Sequence, residues 1–261
     1  MHSLKYVALT FVVLLGGMGC RQKGRVPVLL RLQYQKGDVF DIRYQTYATS
    51  DDKGEPLKNE YIRMTYKVDS VYRNGQYGLS AKFVYVRADN TWPIPEQYSS
   101  DKEEYKMGPT ELAIHSKFKL IRDSVFTMII DNMGRLVKPL SFANGSPVPK
   151  QFNPIDYEYC QVVFPKDSVV TGGDWNNETI DPVTKNKRIY TYTLYSIKEA
   201  VMEIGVKCEF EGAASGETHY FTGEYIVDKD DQNLKSGQLE MEETTDDMGK
   251  VKIGVVINGP R

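Results

Sequence analysis

Hydrophobic and polar residues alternate along most of this chain, and helical periodicity is almost absent. Apolar side chains occupy every second position from Ile62 to Val68 and recur with the same period from Tyr77 to Tyr85, which predicts two half-buried strands. Between the two runs, Asn74-Gly75 supplies the positive backbone angles of a tight turn. These residues therefore predict a long β-hairpin.

The same period of two recurs in other parts of the chain. It predicts strands at residues 30–34, 40–44, 125–130, 136–137, 188–197, 201–210, 219–227, 235–243 and 250–257. Residues 110–118 are an exception and predict a turn or a short helix. Many strands separated by turn residues predict an all-β, mainly antiparallel fold, either a β-sandwich or an open barrel, with few short helices.

The chain divides into two β halves. Four prolines interrupt the alternation between residues 139 and 159, which predicts a connection without strands. We therefore assign a first β half to residues 28–138, a Pro-rich connection to 139–163 and a second β half to 164–258. Both halves open on a Gly-Asp-aromatic stretch, so they could be a duplication that packs face to face or curls into an open barrel. Ordinary turn chemistry at the start of a strand is the alternative, and it stays open.

The first residues set the expected location. A basic start, a short apolar run and small residues lead to Gly19, and Cys20 follows directly. This order is typical of a signal peptide over residues 1–19 and resembles the lipobox of bacterial lipoproteins, so we expect acyl chains on Cys20. An uncleaved anchor or an ordinary secretory signal is the alternative. Residues 20–27 would form a tether, whose basic residues favour the periplasmic face of the cell outer membrane.

Composition and cysteine content add two further expectations. The chain is 41% hydrophobic and has 33 basic against 35 acidic residues, a formal charge of −2. So balanced a charge gives no long-range attraction to nucleic acid, which we exclude as a partner. Cys160 and Cys208 remain in the mature domain, where an oxidising compartment permits a disulfide between them. A buried thiol at Cys208 is the alternative.

The order of several short motifs resembles a known family. The matching stretches are Leu32 to Phe40, Asp69 to Tyr85, Phe126 to Asp131 with Gly134, Phe164-Pro165, Gly173-Asp174-Trp175, and Gly223-Glu224-Tyr225 running to Asp228. In this order and spacing they resemble the DUF6263 family of bacterial lipoproteins over most of residues 28–257. The resemblance implies a β-rich protein of the cell envelope, and it implies no activity.

The residues of a catalytic or cofactor site are missing from the sequence pattern. The mature chain has His115 and His219, and neither lies in a nucleophile turn or at a metal-ligand spacing. The acidic residues 228–233 could bind calcium, but Asp and Asn are also the residues that hairpin turns require, and we favour a solvated turn. We therefore predict no catalytic residue, no metal and no cofactor.

Three Asp-Ser-Val triplets each place a serine before an apolar residue, at Ser70, Ser124 and Ser168. They resemble the Asp-Ser/Thr-apolar acceptor motif for O-linked glycans in one Gram-negative phylum. In that interpretation the three serines are glycan acceptors, and the glycans would add bulk and solubility. A polar turn that enters a strand is the alternative, and we favour it.

The function that fits these observations is binding at a membrane. The chain has 18 tyrosines, most of them in or beside predicted strands, and a minority could line a cleft. We expect a membrane-anchored lipoprotein of the bacterial envelope that is not an enzyme and binds a lipid, a glycan or a protein partner. A structural or assembly subunit of an envelope complex is the alternative. A hydrolase is the third and least favoured hypothesis.

Overall fold

A computed structural model describes residues 26–50, 56–90, 96–147, 162–180, 187–211, 218–245 and 249–259. The strands are β1 (Val39–Ser50), β2 (Pro56–Val71), β3 (Gln76–Asn90), β4 (Glu96–Ser99), β5 (Phe126–Asp131), β6 (Leu136–Phe142), β7 (Asp174–Ile180), β8 (Lys187–Ile197), β9 (Val201–Glu211), β10 (Thr218–Asp228), β11 (Leu234–Thr245) and β12 (Gly249–Asn258). A turn of 3-10 helix, Glu104–Lys106, and helix α1, Pro109–Arg122, lie between β4 and β5.

The strands form a single antiparallel sheet in the order β6-β5-β3-β2-β1-β12-β11-β10-β9-β8-β7, with β4 added beside the end of β3. The first half is one meander, β1 to β6, and the second half is another, β7 to β12. The pairing of β1 with β12, from Arg43↔Asn258 to Ser50↔Val251, joins the two meanders edge to edge. The all-β antiparallel prediction is confirmed.

The sheet is strongly curved, because one short segment is bonded to strands that lie far apart in it. The backbone N–H of Leu32 donates to Asn132 O at 2.8 Å, in the turn between β5 and β6. The N–H of the preceding Arg31 donates to the side chain of Gln232, in the turn between β10 and β11. Five strand spacings separate β5 from β11, about 24 Å in a flat sheet. Adjacent residues are only about 3.8 Å apart, so the sheet must curl.

Residues 163 and 164 hold the two edges of the sheet together in the same way. Phe164 N donates to Met133 O at 2.8 Å, beside β6, and Trp175 Nε1 of β7 donates to Val163 O at 2.7 Å. The edge strands β6 and β7 are ten strand spacings apart in the strand order, about 48 Å if the sheet were flat. The sheet therefore curls back on itself, and the gap between its edges is bridged at one end; we call this curled sheet the barrel.

We call the bridged end the plugged end; it carries the turns at residues 72–75, 132–134 and 229–233. The opposite end is called the far end. Two segments, residues 26–35 and 162–173, cross the plugged end and are tied by an antiparallel bridge between Val28 and Val169. The side chains of an eight-stranded barrel are enough to fill its interior. The path here has eleven strands and encloses a wider interior, so inserted segments of chain are needed to fill it.

Sequence alternation misidentified one of these plug segments. Residues 30–34 were expected as a strand, and Leu30, Leu32 and Tyr34 are indeed buried. Their backbone bonds go to turns and to the other plug segment instead of a strand ladder. Alternation of apolar and polar residues indicates an extended segment with one buried side. It does not distinguish a strand of a sheet from a segment that plugs a barrel.

Most other predicted elements are confirmed. The hairpin of β2 and β3 turns at Asn74-Gly75, where Gly75 has φ +79°. Helix α1 is longer than the predicted 110–118; it begins with Pro109, and Glu111 accepts from the N–H of Gly108 at 2.9 Å. β6 continues past the expected boundary at residue 138 to Phe142, because Pro139 lies on an edge strand, where a missing N–H is tolerated.

We predict that Arg31→Ala lowers the free energy of unfolding by about 2 kcal/mol. The guanidinium of Arg31 donates to Pro165 O at 2.7 Å and to Lys166 O, and its loss leaves these carbonyls of the plug without their donor. Urea denaturation measures the change, and Arg135→Ala, which removes an exposed arginine, is the control. Equal stability of both variants would mean that Arg31 does not hold the plug.

Candidate functional site

The inner face of the barrel is the candidate site, and strand register divides it into levels. Residues paired across neighbouring strands share a face. At the level of Tyr44 the inward residues are buried around the barrel, namely Tyr44, Ile62 and Val86 in the first meander and Ile257, Tyr225, Ile204 and Leu194 in the second. This level and those below it, towards the plugged end, are the core.

Towards the far end the inner face changes character in the middle of the sheet. Thr46 and Val255 are paired two residues beyond Tyr44, and both are only half-buried. Ala48, Ile253 and Met241 at the next level are half-buried as well. Solvent therefore reaches part of the inner face here, although Leu239, which pairs with Val255, and Val251, further along β12, are buried. The plug does not fill the barrel to its far end.

Two walls line this part of the barrel. The apolar wall consists of Tyr190, Cys208, Phe210, Phe221, Met241, Ile253 and Val255 on β8 to β12. The polar wall consists of Thr46, Ser50, Lys58, Glu60 and Asn90 on β1 to β3. Phe210 and Phe221 stack with their ring centroids 5.5 Å apart. The two walls meet where β12 pairs with β1.

The polar wall carries a charge pair of opposite signs. Lys58 Nζ lies 3.0 Å from Glu60 Oε2, with side chains 40% and 28% exposed. An ion pair of this exposure adds little to stability. Its two charges cancel, so the wall offers hydrogen-bond donors and acceptors without a net charge. Opposed to the apolar wall, it suits a ligand that has both a polar and an apolar part.

His115 lies away from these walls, buried in helix α1. Its Nδ1 is 3.3 Å from the hydroxyl of Tyr98, and its Nε2 is 3.3 Å from a carboxylate oxygen of Glu104. Phe118 stacks on Tyr98 from the same helix, so these contacts dock α1 on β4. The one hydroxyl beside it in sequence, on Ser116, donates to Leu112 O. This surrounding is that of a structural histidine.

The other residues singled out from the sequence are not brought together. Ser70 and Ser124 are half-buried and Ser168 is exposed, at separate places on the molecule, and their modification stays a prediction. Cys208 is buried in β9, but Cys160 lies outside the described residues, so the disulfide also stays a prediction. Cys20 lies outside them too. His219 lies in β10, and its side chain is not among those described.

The acidic residues 228–233 form the turn between β10 and β11. Asp228 accepts from the backbone N–H of Asp230 at 2.8 Å and from Lys235 Nζ at 2.8 Å. Among the described residues no group of three metal-ligating side chains occurs. The carboxylate of Asp228 is used by the turn itself, as expected for a hairpin of this composition.

The tyrosines divide between core and outer surface. On the outer face, Tyr47 lies flat over Gly254 at the seam between the two meanders; a Cβ on this glycine would come within 2.2 Å of the ring. The Tyr47 hydroxyl donates to Glu240 Oε1 at 2.5 Å, and Lys252 Nζ lies 2.6 Å from the other oxygen. This cluster joins β1, β12 and β11 and is structural.

Comparisons with known proteins add little to this geometry. No protein-family model matches the chain, and no curated protein matches it. The resemblance to the DUF6263 family therefore stays a prediction. Among the described residues, no helix has the length and apolar character needed to cross a bilayer.

Two solved structures are similar in part. One is lipovitellin, from a study of lipid–protein interactions, with 12% identity and a TM-score of 0.49 over 87% of this chain. The match spans 25% of the lipovitellin chain, so this chain corresponds to about a quarter of it. The other is a candidate lipoprotein from Parabacteroides distasonis ATCC 8503, with 12% identity, a TM-score of 0.30 and coverage of 88% and 98% of the two chains. Both TM-scores are below 0.5.

We predict that Glu240→Gln lowers the free energy of unfolding at pH 7 by less than about 1 kcal/mol. The hydrogen bonds from Lys252 and then Tyr47 lower the pKa of Glu240 below its ordinary value. Its stabilisation is therefore complete above the ordinary pKa and is lost as pH falls through the lowered one. Urea denaturation from pH 7 to pH 3 should show the variant and wild type converging at low pH.

Glu224→Gln is the matched control, because Glu224 is an exposed outward carboxylate on β10. A pH dependence that is the same in Glu240→Gln and in wild type would show that the seam cluster does not depend on this carboxylate.

Proposed function

We propose that this protein is a lipid-anchored, non-catalytic binding protein of the bacterial envelope that holds an amphiphilic ligand in its barrel. The half-buried apolar residues in the middle of the inner face, Val255, Ile253 and Met241, carry the proposal. Inward apolar side chains that water can reach cost free energy, about 25 cal/mol for each Å². A ligand that covered them would recover that free energy.

The polar wall restricts the class of ligand that the barrel can hold. A pure hydrocarbon would take water away from the charged pair of Lys58 and Glu60 and from the amide of Asn90, which is costly for polar and charged groups. An amphiphile can place its chain along the apolar wall and its polar group against the opposite wall. Since Lys58 and Glu60 cancel in charge, a neutral or zwitterionic polar group fits best.

The location rests on the leader and Cys20. An apolar run that ends in Gly19-Cys20 supports acyl chains on the cysteine, and the basic residues after it favour the periplasmic face of the outer membrane. An enzyme is disfavoured because His115, the histidine whose surroundings are described, is buried in a docking contact.

We predict that Val255→Asn weakens ligand binding at least about fivefold, because it places an amide in the apolar wall. Cells receive a palmitic acid analogue that carries a photoactivatable diazirine, and crosslinked peptides of the purified full chain are mapped by mass spectrometry. Wild type should be crosslinked on β11 and β12. Val256→Asn is the control, since this adjacent half-buried valine faces outwards and its variant should keep the crosslinks.

Thermal melts of both variants check that each is folded. Equal crosslinking in the two variants, or no crosslink at the apolar wall of wild type, would contradict the proposed site.

We predict that Cys20→Ala abolishes metabolic labelling of the protein with palmitate, because the thiol is the proposed acyl acceptor. Labelling is measured on the immunoprecipitated full chain, and Ser3→Ala, which alters the leader outside the lipobox, should leave it unchanged. Undiminished labelling of Cys20→Ala would refute the anchor.

A further inference from the structure

Exposed apolar side chains gather at one rim of the barrel. Of the large hydrophobic residues that are exposed, seven lie at the plugged end: Val26, Leu29, Val39, Val71, Tyr72, Leu136 and Val137. Those elsewhere, such as Val84 and Ile180, lie singly on different elements, as is normal for a soluble surface. The gathering at the plugged end therefore needs an explanation.

The strand order places most of this group on adjacent strand ends, with Val71 and Leu136 on the face of Tyr77 and Ile130, and Val39 on the opposite face with Lys67. Val39 begins β1 beside the end of β2, where Val71 and Tyr72 lead into the turn to β3. β3 pairs with β5, whose partner β6 begins with Leu136. These residues thus follow one another along the rim of the first meander. The turns of the second meander at residues 198–200 and 228–233 carry no exposed large hydrophobic residue among those described.

Basic side chains are interleaved with the apolar ones on this rim. Lys36, Arg73, Arg135 and Lys138 are all exposed there, and among the described residues no ion pair joins them to a carboxylate. Of the nearby acids, Asp69 pairs with Lys67 at 3.4 Å, whereas Asp131 and Asp38 accept from backbone N–H groups and keep their charges, so the basic side chains on this rim outnumber the unpaired acids. The rim therefore presents cations and apolar groups together.

The described chain also begins at this end. Val26 and Leu29 are exposed beside the plug, so the tether from Cys20 reaches the molecule at the plugged end. The tether is residues 20–27, which span at most about 27 Å when fully extended. The plugged end as a whole is consequently held within the reach of this tether from whatever surface the acyl chains occupy.

We propose that the rim of the first meander, Lys36, Val39, Val71, Tyr72, Arg73, Leu136 and Val137, docks on the surface of an anionic bilayer. This inference rests on the lipid anchor of the proposed function and assigns the anchored protein an orientation. The basic side chains meet anionic headgroups, and the apolar ones with Tyr72 enter the interface, where aromatic rings with a polar tip are favoured. The far end, with its two walls, then points away from the bilayer.

Quenching by brominated lipid tests the orientation in the full lipidated chain. Val71→Trp places a fluorophore on the rim, and Val84→Trp places a matched one on an exposed position of β3 away from it. Both proteins are incorporated in vesicles of dibrominated phosphatidylcholine and phosphatidylglycerol at a ratio of 7:3. We expect the added fluorescence at position 71 to be quenched at least twofold more than that at position 84.

Changing the charge of the rim gives a second measurement. Its result would not change if the rim had only a structural role. Adding Arg73→Glu to Val71→Trp should reduce the quenching about fivefold or to the level of position 84, because each cation near an anionic surface contributes about that factor. Vesicles that contain phosphatidylcholine alone should reduce the quenching at position 71 in the same way. Quenching that is equal at positions 71 and 84, or that is unaffected by Arg73→Glu, would overturn the docking.

The outcomes separate this inference from the proposed function. If the protein floats with the vesicles while position 71 stays unquenched, the anchor stands and the docked rim is wrong. If the protein does not float with the vesicles, both the anchor and the docking are wrong. Association of the rim with a second copy, seen as a doubled mass without quenching at position 71, would also overturn it.

Discussion

The hydrogen bonds that two plug segments make to distant turns determine the shape of this molecule. Leu32 and Arg31 hold the β5–β6 and β10–β11 turns, and Phe164 with Val163 holds the two sheet edges. An antiparallel sheet of this many strands has no intrinsic reason to close at this radius. The plug determines how tightly the sheet curls at one end. The distance of each inward side chain from the plug then determines how deeply that side chain is buried.

The difference between the two ends follows from this constraint. At the plugged end, inserted chain and large side chains fill the interior, so inward residues such as Tyr44 are buried. Beyond the reach of the plug, the same strands continue with the same alternation, and neither of the two described plug segments extends into this part of the interior. The half-burial of Val255 and Thr46 is the direct consequence. Under the proposed function, the ligand lies at this end of the barrel, beyond the plug.

Sequence could predict the strands but not the barrel. Alternation and turn residues such as Asn74-Gly75 report local backbone geometry, and these predictions were confirmed. The plug could not be recognised, because Leu30 and Leu32 alternate as they would in a strand. The bonds of this segment instead reach residues far away in sequence: Leu32 N–H donates to Asn132 O, and Gln232 bonds to the backbone on either side of Leu30. The candidate walls were equally hidden, since β1 meets β12 only through a pairing across some two hundred residues. Helix α1 was under-predicted, although Pro109 and Glu111 carried a start signal.

The plug also connects the two proposed properties of the protein. Residues 26–32 are the first described residues after the tether, and they are the residues that curl the sheet. The tether and the closure of the barrel therefore share one stretch of chain. The bonds of Arg31 to Gln232 and Pro165 lie at the plugged end, whereas the polar and apolar walls lie towards the far end. The proposed anchor and the proposed ligand site are therefore at opposite ends of the barrel, with the plug and the buried core between them.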